Sequence, residues 1–314
     1  MDRLSLSFPV RKWEGDRSAW STISVRQPGS PMAAETRSGF VDVAGKVRAF
    51  VGVSEVNGGE TWAKVEFNPS RVEDPDGVSL APVEALAKVV PLVLRKASEL
   101  VDVDQAVTDA RVKRLDVARD FTDVERSDFY LRGLGPVRRP WARRNLVHFD
   151  PSRNGAQTLM VGSGAGSVRL YDKHAESQGK AAPGTLRWEV EARGGWAKNY
   201  GGIRALEDLT RSNVEALAQN RWEWSAMGVE VSAADRVIEK VQRSELSPAK
   251  QRSFLGWLFL QSRGMASPLS KETAAGFNRL ARELDVALGP QDADVLGFVG
   301  RLDFDSGREV LRCA

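Results

Sequence analysis

The sequence predicts an α+β fold: an antiparallel-sheet domain with flanking helices over residues 1–205, followed by an all-helical domain over residues 206–314. Three observations predict it. Alternating apolar and polar residues fill the first 75 positions, the same period returns between residues 112 and 193, and three-to-four apolar spacing takes over from Ile203 onward. With 314 residues the chain is long enough for two domains.

Each element has its own warrant. Leu4, Leu6 and Phe8 alternate with polar neighbours, and residues 41–53 and 61–67 continue the pattern around the Asn57-Gly58-Gly59 break, which reads as hairpins. Residues 82–100 carry apolar side chains at helical spacing, with Pro82 near the first turn and Pro91 predicting a kink or break. Strands are expected at Val112–Phe121, Asn145–Phe149, Thr158–Val161, Ser167–Lys173 and Thr185–Arg193. The glycines from Gly162 to Gly166 read as a hairpin turn, because no lysine or helix start follows to make a phosphate loop. Helices are expected at Leu206–Trp224, Ala233–Arg243, Pro248–Ser262 and Lys271–Leu288, with Ser247-Pro248 and Ser270 as caps.

Composition narrows the function. At 42% hydrophobic and 28% charged residues the chain is neither disordered nor fibrous. No run of 18 apolar residues and no secretory leader is present, so a cytoplasmic protein without a membrane partner is expected. One cysteine, Cys313, excludes a disulfide framework and a thiolate zinc site. Two histidines, His148 and His174, cannot build a zinc site from one segment. The charge is uneven: residues 111–204 hold 18 Lys and Arg against 10 Asp and Glu, and Arg132–Arg169 carries seven arginines and one acid. Arg138, Arg139, Arg143, Arg144 and Arg169, with Trp141 among them, suit a polyanion, since guanidinium forks match phosphates and an indole stacks on bases. The alternative is a solvated basic surface.

Several residues can carry chemistry. Asp116 and Asp120 share a strand face across Ala118, which leaves room for Mg²⁺ or Mn²⁺; a wet edge with ion-paired acids is the alternative. In residues 186–193, Leu186, Trp188, Val190 and Ala192 form one face. Arg187, Glu189, Glu191 and Arg193 form the other, where they must pair or meet a ligand. Tyr200 lies in a polar, glycine-flanked setting and is a candidate nucleophile, with a surface or packing role as the alternative. His148 reads as a satisfied strand histidine or a lone acid–base group.

In order, Arg114-Leu115-Asp116-Val117-Ala118-Arg119-Asp120, Leu170-Tyr171-Asp172-Lys173 with Glu176, Leu186-Arg187-Trp188-Glu189-Val190-Glu191, and then Tyr200 form a pattern. It resembles the Rep_trans type of rolling-circle replication initiators and relaxases of plasmids, phages and conjugative elements. The likeness covers residues 110–205. It implies a DNA nickase and strand transferase in which Tyr200 is the nucleophile, Lys173 neutralises the scissile phosphate, and Asp116 and Glu189, with Asp120 and Glu191 nearby, hold Mg²⁺ or Mn²⁺. It also implies single-stranded or hairpin origin DNA as partner, with a helicase or a second copy of the chain as further associates. A conjugative relaxase using the same chemistry, and a DNA-binding regulator that has lost catalysis, are the alternatives. Relatives carry the tyrosine on a helix after the last strand; here Gly194-Gly195 and Gly201-Gly202 bracket it and weaken that helix by about 1 kcal/mol per glycine, so the tyrosine is expected on a short or mobile segment.

Overall fold

The structure, a computed structural model, describes residues 1–10, 22–25, 35–44, 47–55, 61–74, 76, 78–104, 106–134, 144–149, 157–163, 166–262, 269–289 and 299–311. The first elements are β1 (Arg3–Val10), β2 (Thr22–Val25), β3 (Glu35–Ala44), β4 (Val47–Glu55), β5 (Thr61–Phe67), α1 (Pro69–Glu73), α2 (Leu86–Ala97) and α3 (Ala106–Asp109). Then come β6 (Arg111–Phe121), α4 (Ser127–Gly133), β7 (Arg144–Phe149), β8 (Gln157–Ser163), β9 (Gly166–Asp172), α5 (Lys173–Glu176), β10 (Leu186–Arg193) and α6 (Gly194–Gly201). The remainder is α7 (Arg211–Ser225), β11 (Val231–Ser232), α8 (Ala234–Gln242), α9 (Pro248–Ser262), α10 (Lys271–Glu283), β12 (Ala287–Leu288), β13 (Val299–Asp303) and β14 (Arg308–Leu311). The fold is α+β with a large antiparallel sheet. No described helix is long and apolar enough to cross a membrane.

The chain forms two compact units, neither continuous in sequence. One comprises Met1–Ala118 and Glu191–Ala218, the other Arg119–Val190 and Gln219–Ala314. Strands β6 and β10 and helix α7 each pass from one unit into the other.

In the first unit the strands run β2-β3-β4-β5-β1-β6. Register builds its two faces, because residues directly paired across an antiparallel ladder share a face. Leu4, Leu6 and Phe8 stand opposite Phe67, Val65 and Ala63, and Val65 and Ala63 in turn oppose Val51 and Val53. These side chains are buried, and α2 packs on β3, β4 and β5 with Leu86, Val89, Val90, Val93 and Leu94 inward. Helix α2 continues through Pro91, which was expected to kink or break it. The other face is polar: Arg3 pairs with Asp116, Ser5 with Glu66 and Arg114, Ser7 with Lys64 and Arg111, and Pro9 with Trp62. A β-bulge at Lys113 sets this arrangement, since one extra residue reverses the alternation and brings Arg111 and Arg114, three apart, to the same face.

In the second unit β10-β9-β8-β7 follow one another, and β8 and β9 close in the hairpin that the glycine cluster predicts, with Ser163 opposite Gly166. A cluster of Phe121, Trp188, Trp222 and Phe304 fills its core, with neighbouring ring centroids 5.1–5.9 Å apart. Helix α9 spans the residues expected of it, and α10 starts at Ser270, whose hydroxyl accepts from the Thr273 amide at 3.2 Å. The region after residue 205 is not all-helical: β12-β11-β13-β14 form a second, small sheet. Two-residue strands such as β11 and β12 are too short to show a period, and the β13–β14 hairpin lies beyond the helical spacing. Gly307 in that hairpin has φ +66°, and a Cβ there would lie 2.9 Å from the Asp120 carbonyl oxygen, so glycine is required.

Candidate functional site

The residues expected to carry chemistry fall in both units. Asp116, Glu191 and Tyr200 belong to the first; Asp120, Arg169, Lys173 and Glu189 belong to the second.

On the polar face of the first unit Arg114 lies amid three carboxylates. Its Nε and Nη2 donate to the two Asp116 oxygens at 2.8 and 2.6 Å, and Nη2 reaches Glu191 at 3.0 Å. Asp116 is only 2% exposed, and such a buried carboxylate is tolerable only with a matched donor. Burial alone would lower the Arg114 pKa, but the Asp116 hydrogen bond and the charges of Asp116, Glu191 and Glu66 hold it above its ordinary value. Glu191 also accepts from Arg193 at 3.0 Å.

Glu66 belongs to the same network, with Lys64 at 2.7 Å and Arg3 at 3.4 Å. Burial would raise its pKa, yet the Lys64 hydrogen bond and the charges of Lys64, Arg3 and Arg114 bring it below the usual carboxylate range. A carboxylate with a depressed folded value contributes stability that is fully present above its unfolded pKa of about 4.3 and is lost as the pH falls through the folded value. Glu66→Gln is therefore expected to lose less stability than the parent between about pH 6 and pH 3, as read by urea denaturation at each pH. Equal losses would assign the acid sensitivity to other groups.

In the second unit the remaining carboxylates are likewise paired. Asp120 accepts a two-pronged bond from the buried Arg187 at 2.6 and 2.8 Å, and Glu189 accepts from Arg169 and from the Tyr171 hydroxyl at 3.1 Å. The four charges on the polar side of β10 thus meet the condition that they pair. The Lys173 ammonium, mostly buried at the start of α5, donates to Glu176 at 2.7 Å, and the Asp172 carboxylate caps that turn through the Ala175 amide at 2.9 Å. His174 contacts the Ala181 carbonyl oxygen at 2.6 Å through Nδ1.

All four carboxylates expected to hold Mg²⁺ or Mn²⁺ are engaged by arginines, and no group of three or more His, Cys, Asp or Glu is gathered for a metal ion among the described residues. A divalent ion bound here would have to take these oxygens from guanidinium groups.

The tyrosines separate by exposure. Tyr130 is fully buried and donates to Glu309 at 2.7 Å; burial, then that hydrogen bond, drives its pKa far upward. Tyr171 is 9% exposed and hydrogen-bonded to Glu189. Tyr200 is 40% exposed. It lies in the last turn of the eight-residue α6, which begins where β10 ends and is closed by Gly202 at φ +68°. The flanking glycines thus permit a helix and limit its length.

Most of the arginine stretch expected to bind DNA, namely Arg138, Arg139, Trp141 and Arg143, lies outside the described residues, as do Cys313 and the side chains of Arg144 and His148. The structure shows instead a basic cleft in the first unit that spacing along the sequence did not reveal. Trp62, Arg111, Lys113, Lys198 and Arg204 line it, with Asp109 as its one acid, and its volume is about 980 Å³. The Arg111 guanidinium carbon lies 5.4 Å and the Lys113 Nζ 6.0 Å from the centre of a Trp62 ring. Trp62 and Arg111 are nearly fifty residues apart in sequence and meet only because β1 brings β5 and β6 to its two sides.

The chain matches no protein-family model and no curated protein. Among solved structures it is similar to a rolling-circle replication initiator protein from Geobacillus stearothermophilus, at 13% identity and a TM-score of 0.32, over 84% of this chain and 96% of that one. It is also similar to the di-domain ARO/CYC BexL from the BE-7585A biosynthetic pathway, at 12% identity and a TM-score of 0.17, over 70% and 95% of the two chains. Scores of this size do not establish a shared fold.

Proposed function

We propose that this protein is a replication initiator that nicks and rejoins one DNA strand at an origin through Tyr200. The observation that supports the reading is the exposure of Tyr200: of three tyrosines it alone presents its side chain at the surface, on a helix directly after the strand carrying Glu189 and Glu191. In this reading its Oη attacks the scissile phosphorus and loses its proton. The P–O3′ bond breaks, the 3′ oxygen takes up a proton, and a 5′-phosphotyrosyl ester remains. The ester conserves the bond energy, so return attack by a 3′-hydroxyl reseals the strand without ATP. Lys173 beside the phosphate, and Asp116, Asp120, Glu189 and Glu191 around Mg²⁺ or Mn²⁺, are the further roles that the motif order suggests. Each would first have to leave its present ionic partner.

The test incubates the full chain with single-stranded and hairpin origin DNA in Mg²⁺, Mn²⁺ or chelator. A covalent protein–DNA adduct mapped to Tyr200 supports the reading, and an adduct that forms equally well with Tyr200→Phe overturns it. No adduct under any of these conditions favours a DNA-binding regulator without catalysis.

A further inference from the structure

The geometry points to the cleft of Trp62, Arg111, Lys113, Lys198 and Arg204 as a track for single-stranded DNA. The inference rests on the nicking reading for the identity of the polymer. Its location rests on the cleft alone.

Four cations and one acid line the cleft. Arg111 and Lys113 are exposed and stand by the indole, with no acidic partner among the described residues. The Lys113 bulge supplies one of these charges, and bulges recur where a strand must re-aim a side chain. Lys198 comes from α6 and Arg204 from the segment after it, where the Asp208 carboxylate accepts from the Arg204 and Ala205 amides at 2.8 and 2.9 Å. The cations therefore reach one cleft from three separate segments, an arrangement that can engage successive phosphates of one strand. A half-buried indole among them is the surface on which an unpaired base stacks, directly or through the Arg111 plane. A cleft of about 980 Å³ is at the upper end of small-ligand sites, with room for a few nucleotides of one strand.

The experiment titrates the full chain into a fluorescein-labelled homothymidine oligonucleotide of about twelve residues and follows anisotropy between about 50 and 200 mM salt. Lys198→Ala/Arg204→Ala is expected to weaken binding about tenfold or more at low salt. It should also flatten the log–log salt slope by about 1.4, at roughly 0.7 for each single-strand phosphate that the variant leaves unneutralised. Trp62→Ala is expected to cost about fivefold or more, with Trp62→Phe recovering most of it, because a base needs an aromatic face and not this one ring. The exposed double variant keeps the test decisive should Trp62→Ala fail to fold. Unchanged binding in both sets overturns the proposal. So does a loss confined to the charge variants, which would mark a sticky basic surface, or equal competition by unlabelled duplex. If the cleft variants lose binding while the parent forms no covalent adduct, the track stands and the nicking reading fails; the converse pair of results sinks the track alone.

Discussion

Tyr200→Phe is expected to abolish covalent capture of DNA while leaving the fold and the affinity for DNA as they were. The change deletes one oxygen from a side chain that is already 40% exposed, on the closing turn of a short helix whose buried residues are Trp196, Ala197 and Gly201. Surface substitutions of this kind move stability by about 0.5 kcal/mol or less. Removal of a nucleophile, by contrast, reduces covalent catalysis by a factor on the order of 10³ or more. The two expectations separate a catalytic phenol from a structural one. Unfolding midpoints in urea should agree, and anisotropy titrations should overlay, while adduct on a denaturing gel disappears. A variant that loses adduct and affinity together would show that the phenol serves binding or folding.

Trp188→Ala is expected to produce the largest stability change in the second unit, about 3–5 kcal/mol by urea denaturation. Trp188 is fully buried, with its rings edge-on to Trp222 at 5.9 Å and to Phe304 at 5.2 Å, and Trp222 in turn stacks on Phe304 and leans on Phe121. Removing it opens a cavity at the point where strand β10, helix α7 and the segment after β13 supply one ring each. Trp188→Phe should cost much less. The indole Nε1 has no hydrogen-bond partner among the described residues, so its loss removes no bond, and a phenyl ring keeps the edge-on packing. A cost for alanine below about 1 kcal/mol would mean that the cluster collapses onto the space or that the rings contribute little.

Long periodic elements were readable from the sequence and short or distant ones were not. Strands β1, β6, β9 and β10 and helices α9 and α10 each carry enough residues to display a period, and Ser270 announces its helix by cap chemistry. The second sheet escaped because β11 and β12 are two residues long. Candidate residues were readable as types, and the four charges on β10 were correctly expected to need partners. The partners themselves were not: Asp120 and Arg187 are 67 positions apart and meet only through strand neighbours. Alternation also misleads across a bulge. The extra residue at Lys113 is invisible to period-two counting, yet it decides that Arg111, Arg114 and Asp116 share a surface and so creates both the arginine-centred network and one wall of the cleft.

The second unit draws its chain from either side of the first unit's returning segment, and this has a consequence for synthesis on the ribosome. Tyr130 anchors to Glu309, and the Thr122 amide donates to the Gly307 carbonyl oxygen at 3.2 Å. The partners of Thr122 and Tyr130 therefore arrive only when positions near 309 leave the exit tunnel, whereas the first unit has all its parts once residue 218 is out. Loops of that span close slowly. The waiting middle segment is thus the interval in which a holdase chaperone would act, and a stop codon shortly before residue 299 would strand it permanently.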